Sequence, residues 1–228
     1  MPAVLLMLSS ALSFKAVAEN KKAVKPLKVL KILQVTGSIE DLSGVKPLQW
    51  NRKSRFGDQL HLSLSDKALT KIDLGMGLIL TAYGNTEFKI PVISWETRQF
   101  NELNLMKGTI RIERSESYDS HFELLTPFFQ VEPPIGQWVF KIDPSRALAD
   151  IIALKGTIEI NSLNSDEKVT VHAGEKATFR GVLEEGEIAY DLLLKGRKIP
   201  KGKWLNKEKI KAQDLDLYSL QKEKEQGE

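Results

Sequence analysis

Three features of the chain predict an all-β protein. Strand-sized runs recur every ~8–12 residues, separated by glycine, proline, asparagine or aspartate. Within those runs apolar and polar residues alternate at period two, the repeat of a strand with one buried face. No sustained helical period appears before the C-terminal end. Short strands of this kind stack into a solenoid-like or a sandwich-like body, and the pattern leaves both open.

The elements follow in order. Residues 19–28 are polar and basic and contain Pro26, a linker. A β domain is then expected over residues 29–195. "KVLKILQVTGSIED" reads as a strand with a turn at Gly37, and "DQLHLSLSD" sets Leu60, Leu62 and Leu64 opposite His61, Ser63 and Ser65. "TKIDLGMGLILTAYGNTEFKI" carries Ile72, Leu74, Met76, Leu78 and Leu80 at period two as one continuing strand, turns at Gly84-Asn85 and resumes with Phe88 and Ile90. "LNLMKGTIRIE", "HFELLTP" and "GQWVFKID" continue the alternation, and "DPSRALAD" has the caps for a single helical turn. Strands are expected at "IIALKGTIEI", "KVTVHAG" and "KATFRG", with a terminal strand at "EIAYDLLLKG". Residues 196–228 form a basic and charged tail, partly helical from Asn206 onward.

Composition bounds the chemistry. The 228 residues are 42% apolar and 28% charged, which suits a packed domain, and the net charge of +3 is too balanced to indicate nucleic acid. With no cysteine, disulfides, thiol nucleophiles and thiolate metal sites are excluded. The opening "PAVLLMLSSALSFKAVAEN" has an apolar run too short to span a bilayer and ends in Ala16-Val17-Ala18. We read residues 1–18 as a signal peptide cleaved after Ala18, leaving Glu19 first and directing the chain to the periplasm. No later run approaches the ~18 apolar residues of a membrane helix.

Candidate catalytic residues do not assemble. Alternation turns His61, His121 and His172 toward solvent, without a second histidine or carboxylate at ligand spacing, so no metal or other cofactor is expected. No G-x-S-x-G elbow occurs, and "LGMGL" lacks the strand-turn-helix context of a phosphate loop. Glu184-Glu185 and Asp214-Asp216 fall in loop and tail. The chain is therefore read as a non-enzyme.

Two features could contact a partner. In "TPFFQVEPPIGQWVF", strict alternation would turn either Phe128 or Phe129 outward near Trp138, although a bent strand end at Pro127 could bury both. The second is the basic run containing Lys195, Arg197, Lys198, Lys201 and Lys203, suited to an anionic envelope polymer or a membrane surface, although any solvated tail carries such lysines; an envelope protein is the other partner expected.

The heptapeptides "MKGTIRI" and "LKGTIEI", with a fainter echo in "VTGSIED", have an architectural meaning. Glycine suits a bend or a close approach of backbones, the isoleucines belong to the core, and Arg111 and Glu159 should face solvent. Taken with "GDQL" at residues 57–60, "NTEF" at 85–88, "TP" at 126–127 and "VHAGE" at 171–175, these segments resemble, in order, the FecR-type periplasmic domain family over residues 29–181. The family's G-T-x-F step is replaced by Gly136-Gln137-Trp138-Val139-Phe140. We read the chain as lacking the anti-sigma segment, transmembrane helix and C-terminal receptor-contact domain of full-length members. The resemblance then implies an exported β domain and an interaction or signalling role rather than complete ferric-citrate signalling. A structural envelope component without regulated ligand is the alternative, and an envelope-polymer hydrolase the outsider. Ligand and oligomeric state are not fixed by the sequence.

Overall fold

A computed structural model describes residues 31–44, 48–52, 59–75, 77–91, 102–118, 121–163, 167–181 and 202–210. These residues form sixteen strands: β1 (Lys31–Thr36), β2 (Ile39–Asp41), β3 (Leu48–Gln49), β4 (Leu60–Leu64), β5 (Leu69–Gly75), β6 (Leu78–Ala82), β7 (Glu87–Ile90), β8 (Glu102–Arg114), β9 (Glu123–Leu125), β10 (Phe129–Val131), β11 (Gly136–Asp143), β12 (Leu148–Lys155), β13 (Thr157–Ser162), β14 (Lys168–His172), β15 (Glu175–Gly181) and β16 (Gly202–Lys209). The all-β expectation holds, and the sandwich is the form it takes.

The first sheet runs β1-β5-β6-β8-β11-β12-β15-β16, and the second runs β3-β2-β4-β7-β8-β9-β10-β13-β14. All neighbours are antiparallel except β8 and β9. Strand β8 belongs to both sheets. Its N-terminal half pairs with β7 and β9 in the second, and from Gly108 onward it pairs with β6 and β11 in the first.

The repeated heptapeptides mark where the chain passes between sheets. Gly108 is the corner within β8, Gly156 joins β12 to β13, and Gly37 joins β1 to β2. At Gly108 (φ 92°) and Gly156 (φ 95°) the backbone takes a left-handed turn that side chains with a Cβ resist. The turn is also crowded: a Cβ on Gly108 would lie 2.4 Å from the Thr86 Cα, and one on Gly156 would lie 2.9 Å from the Ile135 carbonyl oxygen. The Thr-Ile pair that follows re-enters a strand, and Ile110, Ile112, Ile158 and Ile160 point into the core.

One hydrophobic core fills the space between the sheets. Trp138, Phe140 and Ile142 of β11, Ile151 and Ala153 of β12, and Ala177 and Phe179 of β15 face Leu60, Leu62, Phe88, Leu103, Leu105 and Phe129 of the second sheet. The Phe129 ring, from the second sheet, lies 6.2 Å from that of Phe140 in the first.

Three local expectations are corrected. "LGMGL" does not continue as one strand; β5 and β6 are a hairpin, Gly75 pairing with Leu78. Gly75 and Gly77 both have positive φ, the backbone that a tight hairpin requires. "DPSRALAD" forms the β11–β12 turn rather than a helical turn, with Ser145 Oγ and the Arg146 backbone and side-chain N–H groups donating to the Asp143 carboxylate. Cross-strand pairing on both sides of so short a segment leaves no room for a helix. Finally, residues 202–209, assigned to the tail and read from Asn206 as helical, are strand β16, because the bare edge of β15 offers them a ladder. The expected terminal strand "EIAYDLLLKG" and the helix beyond residue 210 lie outside the described residues, as do the signal peptide and linker.

Candidate interaction surface

The aromatic cluster singled out as a contact site is core. Phe128, Phe129 and Trp138 are all buried, so none is presented at the surface. Thr126 causes the departure from alternation. Its Oγ1 accepts the N–H groups of Phe128 (3.2 Å) and Phe129 (3.0 Å) and donates to the Phe129 carbonyl (2.9 Å). This turn re-aims two consecutive side chains to the same side. Phe128 then packs 5.6 Å from Phe179, and Phe129 lies 6.0 Å from Trp204. Trp138 satisfies its indole N–H on the Pro134 carbonyl at 3.1 Å.

Of the basic residues singled out, Lys203 is exposed at the start of β16, opposite Arg180 on β15. Lys195, Arg197, Lys198 and Lys201 lie outside the described residues. Strand β16 also reaches the β14 edge of the second sheet. Lys207 Nζ donates to the Thr170 carbonyl (3.0 Å) and lies 3.7 Å from Glu175, while the Trp204 N–H donates to Glu167 (3.2 Å). The Glu175 carboxyl is held below its ordinary value, chiefly by the His172 backbone N–H at 2.9 Å, with help from the Lys207 charge.

The ionisable groups that sequence reasoning left on the surface are partly engaged. Arg111 is on the outer face of the first sheet, as alternation requires, but its side chain is only 7% exposed. It donates to Gln137 (3.2 Å) and pairs with Glu113 (3.4 Å), and Gln137 donates to Glu113 (3.2 Å). Alternation tells which face a residue takes but not how thickly that face is covered. Its row neighbours Thr81, Val139 and Ile152 are buried too. Glu159, its counterpart in the second heptapeptide, is exposed and pairs with Lys168.

Of the histidines, His121 and His172 are exposed as alternation predicts, and His61 departs from it. His61 is half-buried and lies 3.1 Å from Glu87, which Lys107 approaches at 3.3 Å, and exposed His121 lies 3.0 Å from Glu132. Partners one strand away are invisible to sequence spacing. Exposed His172 shares a 3.2 Å hydrogen bond with Thr157. Among the described residues, no group of three metal-ligating side chains converges.

A cleft of about 520 Å³ opens where β6, β8, β11 and β12 end, between Ile79, Glu113, Ser115, Ile135, Gln137 and Lys155. Ser115 and Ser117 hydroxyls are bonded to each other at 2.6 Å at the mouth of this cleft.

No family model matches the chain, and no curated protein matches it. Among solved structures, it is similar to two crystal structures of a "putative anti-sigma factor" from Parabacteroides distasonis ATCC 8503. The first has a TM-score of 0.50 and 14% identity, covering 71% of this chain and 64% of that one. The second has a TM-score of 0.49 at 14% identity, with 70% and 64% covered. The chain thus spans less than two thirds of these proteins, and the likeness is one of fold. No helix among the described residues is long and apolar enough to cross a membrane.

Proposed function

We propose that the chain is an exported, non-catalytic FecR-like module of the cell envelope that works in a signalling or regulatory setting by binding an envelope protein or anionic envelope polymer. The observation that carries this reading is where the FecR-like segments fall. "VTGSI", "YGNTEF", "MKGTIRI", "LKGTIEI" and "VHAGE" each sit at a passage from one sheet to the other. Segments resembling a family at the points that fix a sandwich's turns are better support than the same letters scattered through strands. The likeness in fold to an anti-sigma factor structure is consistent with a regulatory role.

The side chains that could carry chemistry have structural employment instead. Arg111, Glu113 and Gln137 hold one another, and Glu87 is shared by His61 and Lys107. Among the described residues, the strand edges and the exposed basic residues of β16 are available to a partner.

Capture from envelope fractions tests the proposal. Truncating the basic tail at Gly196 would strip β16 from the sheet, so charge reversal is the better variant. The intact protein should retain an envelope protein or sediment with anionic polymer, and Lys203→Glu with Lys209→Glu should weaken capture of an anionic partner. Failure of the intact protein to retain either class sinks the binding reading. Export is checked by mass spectrometry of the mature chain, which should begin at Glu19; a cytoplasmic chain still carrying Met1 refutes it.

A further inference from the structure

Strand β16 is held to the sandwich differently from its neighbours. It follows β15 in the sheet, yet Gly181 and Gly202, which pair across the ladder, are joined through residues 182–201. A hairpin needs only about two to five residues for that connection. The ladder is interrupted by a register shift between Ala177 and Phe179. A single large apolar side chain of β16, that of Trp204, packs against the core. Polar contacts of Lys207, Glu208 and the Trp204 N–H add to it at the surface, and just beyond the strand the Ile210 N–H donates to the Gly174 carbonyl at 2.8 Å.

The place β16 occupies has a definite shape. Phe129 and Phe179 form two walls around Trp204, at centroid distances of 6.0 and 5.2 Å. Gly202 lies flat on the Phe179 ring, where a Cβ would come 2.1 Å from Cζ, so the residue two before the aromatic must be glycine. Glu167 and Glu175 then meet a backbone N–H and the lysine three residues after the aromatic. The fit is imperfect in one respect. The indole Nε1–H of Trp204 is buried with no acceptor among the described residues. A phenylalanine would fill the walls without stranding a donor.

We propose that the edge of β15, with Phe129, Phe179, Glu167 and Glu175, is a strand-accepting slot, and that β16 is its displaceable internal occupant. The partner it fits is an extended polypeptide segment carrying glycine, an aromatic residue two positions on and a basic residue three after that. Main-chain pairing along β15 supplies affinity and the aromatic walls supply selectivity, the mode by which sheet edges take up a partner's strand. As part of the same chain β16 competes intramolecularly, and such competitors typically act at about millimolar effective concentration, so an incoming strand succeeds by fitting better. The biological use of the slot rests on the binding-module reading; its chemistry does not.

The test uses the full purified chain and a synthetic peptide of residues 202–209 with phenylalanine replacing the tryptophan. Because that peptide contains no tryptophan, displacement of β16 registers as a saturable red shift of protein emission. The shift should vanish in Trp204→Ala, whose β16 leaves the aromatic walls unfilled, while calorimetric binding persists. Peptides carrying Gly202→Val or Lys207→Glu, changes that leave the internal strand untouched, should bind about tenfold or more weakly. Absence of heat and of shift up to ~1 mM peptide overturns the slot, that being the concentration the tether presents. So does binding that is indifferent to both peptide changes. Envelope capture alongside a failed peptide test discards the slot alone, whereas peptide binding without envelope capture discards the module reading.

Discussion

Gly108 lies so close to Thr86 that the two residues share one corner of the sandwich. The Thr86 Oγ1 accepts the Thr109 N–H at 2.8 Å and donates to the Thr109 carbonyl at 3.0 Å, tying β8 to the β6–β7 crossing just where β8 changes sheets. The glycine permits the approach, and the threonine satisfies the backbone that the corner takes out of its ladder.

Substitution at this corner should therefore be severe. Gly108→Ala combines a positive φ with backbone overlap, and we expect a loss of about 2–4 kcal/mol in urea unfolding. Gly174→Ala has a similar φ (82°) but open space around the added Cβ, and should lose only about 1 kcal/mol. Equal losses would mean that conformation alone, and not the Thr86 contact, sets the requirement.

Thr126 offers a second test of a side chain standing in for backbone pairing. Thr126→Val keeps the shape and removes the oxygen that accepts the Phe128 and Phe129 N–H groups. A loss of about 1–3 kcal/mol is expected from buried donors left unpaired. Phe129→Ala should cost more, about 3–5 kcal/mol, as a cavity in the core. A Phe129→Ala protein of unchanged stability would return that residue to the surface.

The two kinds of ion pair should part company. Arg111→Met leaves Glu113 half-buried without its guanidinium, and a loss of about 3 kcal/mol is expected. Lys168→Met breaks an exposed pair with Glu159 and should change stability by less than about 1 kcal/mol. Thermal or urea denaturation of both variants decides whether the outer face of the first sheet is as enclosed as its exposures state.

Acid should weaken the fold through Asp143 and Glu175. Burial pushes the Asp143 carboxyl up, but hydrogen bonds from Ser145 and Arg146 together with the Arg146 charge outweigh it and hold it below the ordinary value. Glu175 is lowered by the His172 N–H and Lys207. A carboxyl whose folded pKa is depressed contributes stability above its unfolded value, about 4, and loses it as pH falls through the folded value. Asp143→Asn should be less stable than the parent at pH 7, and its urea midpoint should fall less steeply below about pH 4. Parallel profiles would remove Asp143 from the account.

The sequence alone carried the all-β class, the strand positions and most inward faces, because period-two alternation is a local consequence of the pleat. Leu60, Leu62 and Leu64 were legible in that way, and so were the isoleucines after each repeated glycine. It also showed that "KGTI" is architecture. That each copy turns the chain from one sheet into the other depends on which strands pair. Both phenylalanines turn inward through the local Thr126 turn, but the burial of Arg111 and the carboxylate beside His61 are likewise decided by neighbours on other strands. So is the placement of residues 202–209 as a strand: their own letters describe a charged tail, and the unpaired edge of β15 with the rings of Phe129 and Phe179 makes them part of the sheet. Local periodicity sets which way a side chain points, whereas what waits there is set by contacts between residues far apart in the chain.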